Sequence, residues 1–461
     1  MSDPLAAQIG SDRLVPPSAR PPDALEDVCR RHLGTPRAWV RPRDGVEVAA
    51  VIALARAERV PVVPVGLRTA YWSPLSFEGA IVIEVQDLDG IDAPDLANRV
   101  LWCGAGASVR SVDDALRRAG LALPAHPDAS GDTSIGSMVA TGFTSGVGMG
   151  MADADDVVAG LEVVLGTGAR VITGAAASLG AAPFVRGGLP DPTGLLLASE
   201  GALGLITRVA VRPRSRAHRS QLSTRLPPGK PGLLAALALA ESLRIPGLYE
   251  TFRAIDPGEP GASRPIDVDI VVQSPLSAAE LDARARFAAA RLAERAIAPI
   301  DRIDEAPAEH VLRRFSGEPG DAWSRTRRAR FAPVDVNVGY DFAARVVDAS
   351  DAVLDEARRL SAVNLRRALY FAPDFVNVGL HLSIDLARTT DADARALIAR
   401  GAAAISEVPV VPYRWGRTWG EALGGRVDPG YRALMLELKR AFDPDGILQP
   451  GVSIFGAAAP S

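Results

Sequence analysis

From about residue 35 the chain alternates between two spacings of apolar positions. "GVEVAAVIALARAERV" (45–60) repeats at helical period, "PVVPV" (61–65) and "AIVIEV" (80–85) are short β-branched runs, and "SVDDALRRAG" (111–120) is helical again. "LEVVLGTGARVIT" (161–173) places two strand-like runs around Gly166-Thr167-Gly168, which predicts a hairpin rather than a crossover. "LLLASEGALGLITRVAVRP" closes this half with a long strand-like run. After the basic stretch "RPRSRAHRS" (212–220) the pattern changes to amphipathic helices alternating with strands, such as "IDVDIVVQ" (266–273), "VDVNVGYDF" (334–342) and "VGLHLSIDLA" (378–387). Charge and proline cluster at 215–222, so a domain boundary is expected there. "FAPVDVNVG" (331–339) and "FAPDFVNVG" (371–379) read as two related strands of one sheet.

The remaining sequence features narrow the class. With 461 residues the chain is long enough for two to three domains, and 48% hydrophobic against 23% charged residues describes an ordered globular protein. A net charge of −4 gives no electrostatic reason to expect nucleic acid or an anionic membrane as partner. The N-terminus lacks a basic start followed by an apolar core, and its Pro and Ser content predicts a loose arm over 1–34. No apolar run approaches the ~20 residues that span a bilayer, so the expectation is a soluble cytoplasmic protein. Cys29 and Cys103 make no disulfide framework, and the five histidines (His32, His126, His218, His310, His381) are too scattered for a metal site.

Three stretches carry candidate chemistry. In "PVVPVGLRTAYWSP" (61–74) a strand stops at Gly66, and the turn after it offers consecutive main-chain N–H groups that suit a pyrophosphate or a plain strand connection alike. No G-x-G-x-x-G opens a helix there. "PDASGDTSIGSMVATGFTSGVGMG" (127–150) is 24 residues of Gly, Ser and Thr with little charge, expected as a long functional loop in which backbone approaches a flat ligand. "SEGALGLIT" (199–207) sets two glycines in a strand pattern, again implying close approach.

Taken in order, these elements resemble the FAD-binding domain of the vanillyl-alcohol oxidase and p-cresol methylhydroxylase flavoproteins. "PVVPVGLRTAYW" resembles the pyrophosphate loop, "TSIGSMVATGFTSGVG" the flavin loop, "GLEVVLGTG" the following hairpin and "SEGALGLIT" the adenine-side strand. "LKRAFDPDGILQPG" (438–451) resembles the closing signature, in which a helix stops at Asp443-Pro444 and the chain returns to the FAD domain. The resemblance implies an α+β protein: a two-lobed FAD-binding domain (35–218), a substrate domain with an antiparallel sheet (219–425) and a returning C-terminal segment (426–461). It implies FAD contacts from Val65, Gly66, Leu67, Arg68, Thr69 and Ala70. Further contacts are implied from Ser134, Ile135, Gly136, Ser137, Thr141, Gly142, Thr144, Gly146, Val147 and Gly148, and from Gly204 and Ile206.

The alkylphenol-oxidising branch resembles this chain at Tyr71, five residues after Gly66, and at "VVPYRWG" (410–416), which supplies Tyr413 and Arg414. The resemblance then implies hydride transfer from a para-substituted phenol or 4-hydroxybenzylic alcohol through a quinone methide. Ionising a phenol of pKa ~10 at pH 7 takes roughly 4 kcal/mol. Charge-assisted hydrogen bonds contribute about 1.5–3 kcal/mol each, so Arg414 with Tyr71 and Tyr413 suffices. Trp72 and Trp415 are placed to wall the ring pocket. Thr144 stands where some members carry an acidic residue. Phe375 and Asn377 occupy the segment where relatives attach flavin covalently, and His381 nearby reads as a structural strand residue, so non-covalent FAD is expected. A flavin-dependent 2-hydroxy-acid dehydrogenase of the lactate or glycolate type is the alternative; its H-x-G-D-G-N-x-H and H-G-I-G elements are missing. The electron acceptor, dioxygen or an electron-transfer protein, is left open, and relatives suggest a homodimer.

Overall fold

The computed structural model describes residues 4–456 except 22, 27–31, 69–74, 125–132, 143–153, 179, 246, 257–263, 298–300, 304–328, 360–361, 386–388, 417–418 and 420–422. In chain order the first half runs α1 (Pro4–Ile9), β1 (Ala38–Val40), α2 (Gly45–Glu58), β2 (Val62–Val65), β3 (Ile81–Glu84), β4 (Leu101–Gly104), α3 (Val109–Arg118), β5 (Leu121–Ala122), α4 (Ile135–Ala140), α5 (Ala154–Val157), β6 (Val158–Val164), β7 (Arg170–Ile172), α6 (Thr193–Leu196), β8 (Leu205–Val211) and β9 (Arg214–Ser215). The second half runs β10 (His218–Leu226), α7 (Lys230–Ser242), β11 (Tyr249–Asp256), β12 (Ile266–Ser274), α8 (Ala278–Ala293), β13 (Asp301–Ile303), β14 (Ala329–Val338), α9 (Tyr340–Arg359), β15 (Ala362–Phe371), β16 (Val376–Asp385), α10 (Asp391–Ser406), β17 (Val410–Pro412) and α11 (Pro429–Phe442).

The first lobe holds a parallel sheet ordered β1-β3-β2 and an antiparallel sheet ordered β4-β8-β6-β7. Asp44 starts α2 by accepting from the Val46 and Glu47 N–H groups at 2.8 and 2.9 Å, where the helix has orphan donors. The expected hairpin is present as β6 and β7, paired antiparallel. One apolar core, including Ile52, Ile83, Leu161 and Val209, joins both sheets into one packed unit. Cys103 lies inside this core, and burial pushes its thiol up to about 12. Cys29 lies outside the described residues.

The N-terminal stretch expected to be loose is packed over much of its described length. Leu5 and Ile9, one helical turn apart, are buried in the first core, and the Val15 N–H donates to the Trp39 carbonyl at 2.8 Å. Proline and serine limit its secondary structure, but the spaced apolar residues still dock it.

The second half forms an eight-stranded sheet ordered β13-β10-β12-β11-β15-β16-β14-β17, with every pairing antiparallel. The related stretches ending β14 and beginning β16 pair directly, Val338 opposite Val376. Helices α7 to α10 cover one face through a second core containing Leu239, Phe252, Val346, Leu380 and Leu397. Alternation along the strands directs a polar row to the other face: Asp269, Arg253, Tyr370, Asn377 and Asn337 lie opposite one another across five adjacent strands. Arg253 donates to Asp269 at 2.8 and 3.0 Å, and Asn377 to Asn337 at 2.9 Å.

The chain then returns to the first lobe. After α11, Leu448 bridges Val62 in parallel, and Gln449 N–H donates to the Val62 carbonyl at 2.9 Å. Asp443 ends α11 and accepts from the Ile447 and Leu448 N–H groups at 3.1 and 2.8 Å. Among the described residues no helix is long and apolar enough to cross a membrane.

Candidate active site

β2 ends at Val65, which is buried, and the chain turns at Gly66 against the start of α4. A Cβ on Gly66 would lie 2.1 Å from Ser137 Oγ and 2.3 Å from Ser134 Oγ, so only glycine lets the two segments meet without displacement. Ser134 caps α4, accepting from the Ser137 N–H at 3.3 Å and donating to Ser137 Oγ at 2.9 Å. The two turns therefore meet at the Ser134 and Ser137 hydroxyls. Leu67 and Arg68 follow, Arg68 at φ 57 in the left-handed region. Its guanidinium lies 4.0 Å from Asp23, a long and partly exposed contact. Thr69, Ala70, Tyr71 and Trp72 lie outside the described residues, as do Thr144, Gly146, Val147 and Gly148.

The segment expected as one long loop contains α4, seated on the residues after β4: Ile135 and Gly136 donate to the Ala107 and Ala105 carbonyls at 2.8 and 2.9 Å. Thr141 Oγ donates to the Ser137 carbonyl at 2.8 Å, and Gly142, φ 62, ends the helix with its α-carbon packed on Ala198. Gly204 and Ile206 sit further away on the β8 run. A Cβ on Gly204 would meet Val163, and Ile206 is buried opposite Val163, so the close approach there is to a neighbouring strand.

β17 delivers Tyr413 and Arg414 to the end of α4. The Tyr413 N–H donates to the Asp335 carbonyl at 3.0 Å, anchoring this segment to β14 beside the polar row. Arg414 is 7% exposed; it donates to the Gly142 carbonyl at 2.7 Å and to the Tyr413 hydroxyl at 3.2 Å, with its guanidinium 4.0 Å above the Tyr413 ring. Trp415 packs against both cores. His381 lies on the same face, its Nε2 3.5 Å from the Asp335 carboxylate, while Asn377 is engaged with Asn337 and the Val336 carbonyl.

Glu200 was not singled out by sequence, although a lone acid inside the apolar run "LLLASEGALGLIT" is a signal. It is 5% exposed and sits in a turn where Ala198 and Glu200 both have positive φ, 56 and 50. Both its oxygens accept from the Gly416 N–H, at 2.9 and 3.1 Å. Burial pushes its carboxyl up to about 7, against the opposing pull of the Gly416 amide and the Arg414 charge. Strained backbone and a shifted carboxyl beside a buried arginine are marks of a working site.

The chain is similar to known proteins in part of its sequence and in its fold. Residues 36–174 match the family model described as FAD binding domain. The D-lactate dehydrogenase of Archaeoglobus fulgidus is 31% identical over 174 residues, 38% of each chain. The D-2-hydroxyglutarate dehydrogenase of Xanthomonas citri pv. viticola is 30% identical over 187 residues, 40% of this chain and 38% of that one. The chain thus matches well under half the length of these relatives. The structure of p-cresol methylhydroxylase with substrate bound superposes with a TM-score of 0.78 at 13% identity, over 98% of this chain and 96% of that one. Residues 36–174 thus match an FAD binding domain, in a chain whose fold is like that of p-cresol methylhydroxylase.

Proposed function

We propose that the chain is an FAD-dependent oxidoreductase that oxidises a small 2-hydroxy acid to the 2-oxo acid. The observation that carries the substrate class is Arg414, a buried cation at the junction of α4 and the polar sheet face, placed to bind a carboxylate. Sequence likeness to proteins named D-lactate and D-2-hydroxyglutarate dehydrogenase supports the same class. This ranking reverses the one drawn from motifs, which put phenols first.

The Val65–Arg68 turn and the Ser134–Ser137 start of α4 would hold the nucleotide, since Gly66 brings the turn against the Ser134 and Ser137 hydroxyls. Bound FAD supplies the hydride acceptor. Arg414 and the Tyr413 hydroxyl hold the substrate carboxylate and fix which C–H faces the flavin. His381, whose Nε2 faces the Asp335 carboxylate, is the base assigned to the substrate hydroxyl proton, which it would take at Nδ1. A second reading, phenol oxidation, draws on the same pair: Arg414 polarises the Tyr413 hydroxyl at 3.2 Å, and both would favour a phenolate.

Anaerobic mixing of the FAD-loaded protein with D-lactate, D-2-hydroxyglutarate, glycolate, 4-ethylphenol and 4-hydroxybenzyl alcohol tests the assignment. Bleaching of the visible flavin band by hydroxy acids is expected. Bleaching by the phenols alone would overturn it.

A further inference from the structure

We infer that Glu200 is a positioning residue: by gripping the main chain after Arg414 it sets where the guanidinium meets the ligand. The inference rests on the proposed reading only for the ligand's identity. A carboxyl enclosed this deeply costs free energy that an apolar side chain would avoid. Yet the surroundings are built around it. The Glu200 N–H donates to the last α4 carbonyl, Ala140, at 2.8 Å, so the residue is fixed to the same helix end that receives Arg414 through Gly142. Lys439 donates to the Ala202 carbonyl at 2.7 Å and holds the turn from behind. Ser453 N–H donates to the Gly416 carbonyl at 2.9 Å, so both main-chain groups of Gly416 are held.

The charged groups around Glu200 are few. Arg414 faces it from the segment after β17, Lys439 and Asp443 stand behind the turn on α11, and α4 contributes no charged side chain. Because Gly416 is two residues beyond Arg414, releasing its N–H frees the peptide that orients the guanidinium. Glu200 thus ties the end of α4 to the segment that carries Arg414.

Two measurements on the FAD-loaded protein test this. Amide hydrogen exchange of the 410–416 segment needs no ligand: Glu200→Ala is expected to speed exchange at Gly416 by about tenfold or more, and Glu200→Gln, which keeps one acceptor oxygen, by less. Unchanged exchange in Glu200→Ala overturns the inference. The second is a double-mutant cycle on oxalate binding, read from the flavin spectrum. Glu200→Gln is expected to weaken oxalate about three- to tenfold with FAD affinity unchanged, and to have no effect in an Arg414→Ala background. An equal loss in both backgrounds means a general structural role and overturns the inference. If wild type binds no oxalate, the hydroxy-acid reading fails by itself, and the same cycle with 4-ethylphenol decides the role of Glu200.

Discussion

Replacing Gly66 by alanine isolates the contact on which nucleotide binding depends. The new methyl would sit 2.1 Å from Ser137 Oγ and 2.3 Å from Ser134 Oγ, well inside contact distance. Rotating the hydroxyls away relieves the closest approaches but gives up the α4 cap and the Ser134–Ser137 bond, together about 2 kcal/mol. Ser137 Cβ, 3.2 Å from the methyl, stays close whichever rotamer is chosen, so some backbone shift remains. Two kcal/mol corresponds to roughly thirtyfold in affinity. Titrating flavin-free protein with FAD, followed by quenching of flavin fluorescence, is expected to show a loss of at least that size for Gly66→Ala. Adding Ser137→Ala, which removes the nearest oxygen, should recover part of it. An affinity within about twofold of wild type for Gly66→Ala would mean that this turn does not hold the nucleotide.

Other expectations follow from the same contacts. Glu200 is raised from 4.5 to about 7 in the folded chain, so the folded state binds the extra proton; its contribution is present below 4.5 and is lost as pH rises through 7. Thermal unfolding of the FAD-free protein should therefore show Glu200→Gln gaining on wild type by roughly 3 kcal/mol between pH 4.5 and 8, and a constant difference would refute the burial argument. Arg414→Ala should lower kcat/KM for the accepted substrate by about 100-fold or more while FAD remains bound, as measured by stopped-flow flavin reduction. Lys439→Met leaves Asp443 buried without its cation, and denaturant unfolding should report a loss of about 3–5 kcal/mol. Gly142→Val forces a branched side chain into φ 62 and onto Ala198; detachment of the Arg414 segment should appear as a higher KM with little change in FAD content.

Local pattern made part of this site readable in the sequence. The strand ending at Gly66 and the hairpin of β6 and β7 follow from β-branched runs interrupted by glycine, signals that span only a few residues. The α4 segment read as loop because six residues are too few to display helical period and its glycines argue against a helix; Ser134 as a cap was the overlooked sign. Sequence could not show that Arg414 reaches Gly142, 272 residues away, because that link depends on how the second sheet sits on the first lobe. Glu200 escaped notice for a related reason: its partner amide at Gly416 is 216 positions distant. The N-terminal stretch misled in the opposite sense, since Pro and Ser composition outweighed the two apolar residues that dock it.

The pairing of Leu448 with Val62 has a consequence for biosynthesis. On a ribosome, the nucleotide-side sheet would emerge early yet lack this main-chain partner until residues 448 and 449 had been made. Flavin capture should therefore be a late event, and nascent chains stalled before α11 should remain colourless even though both nucleotide turns had long since been translated.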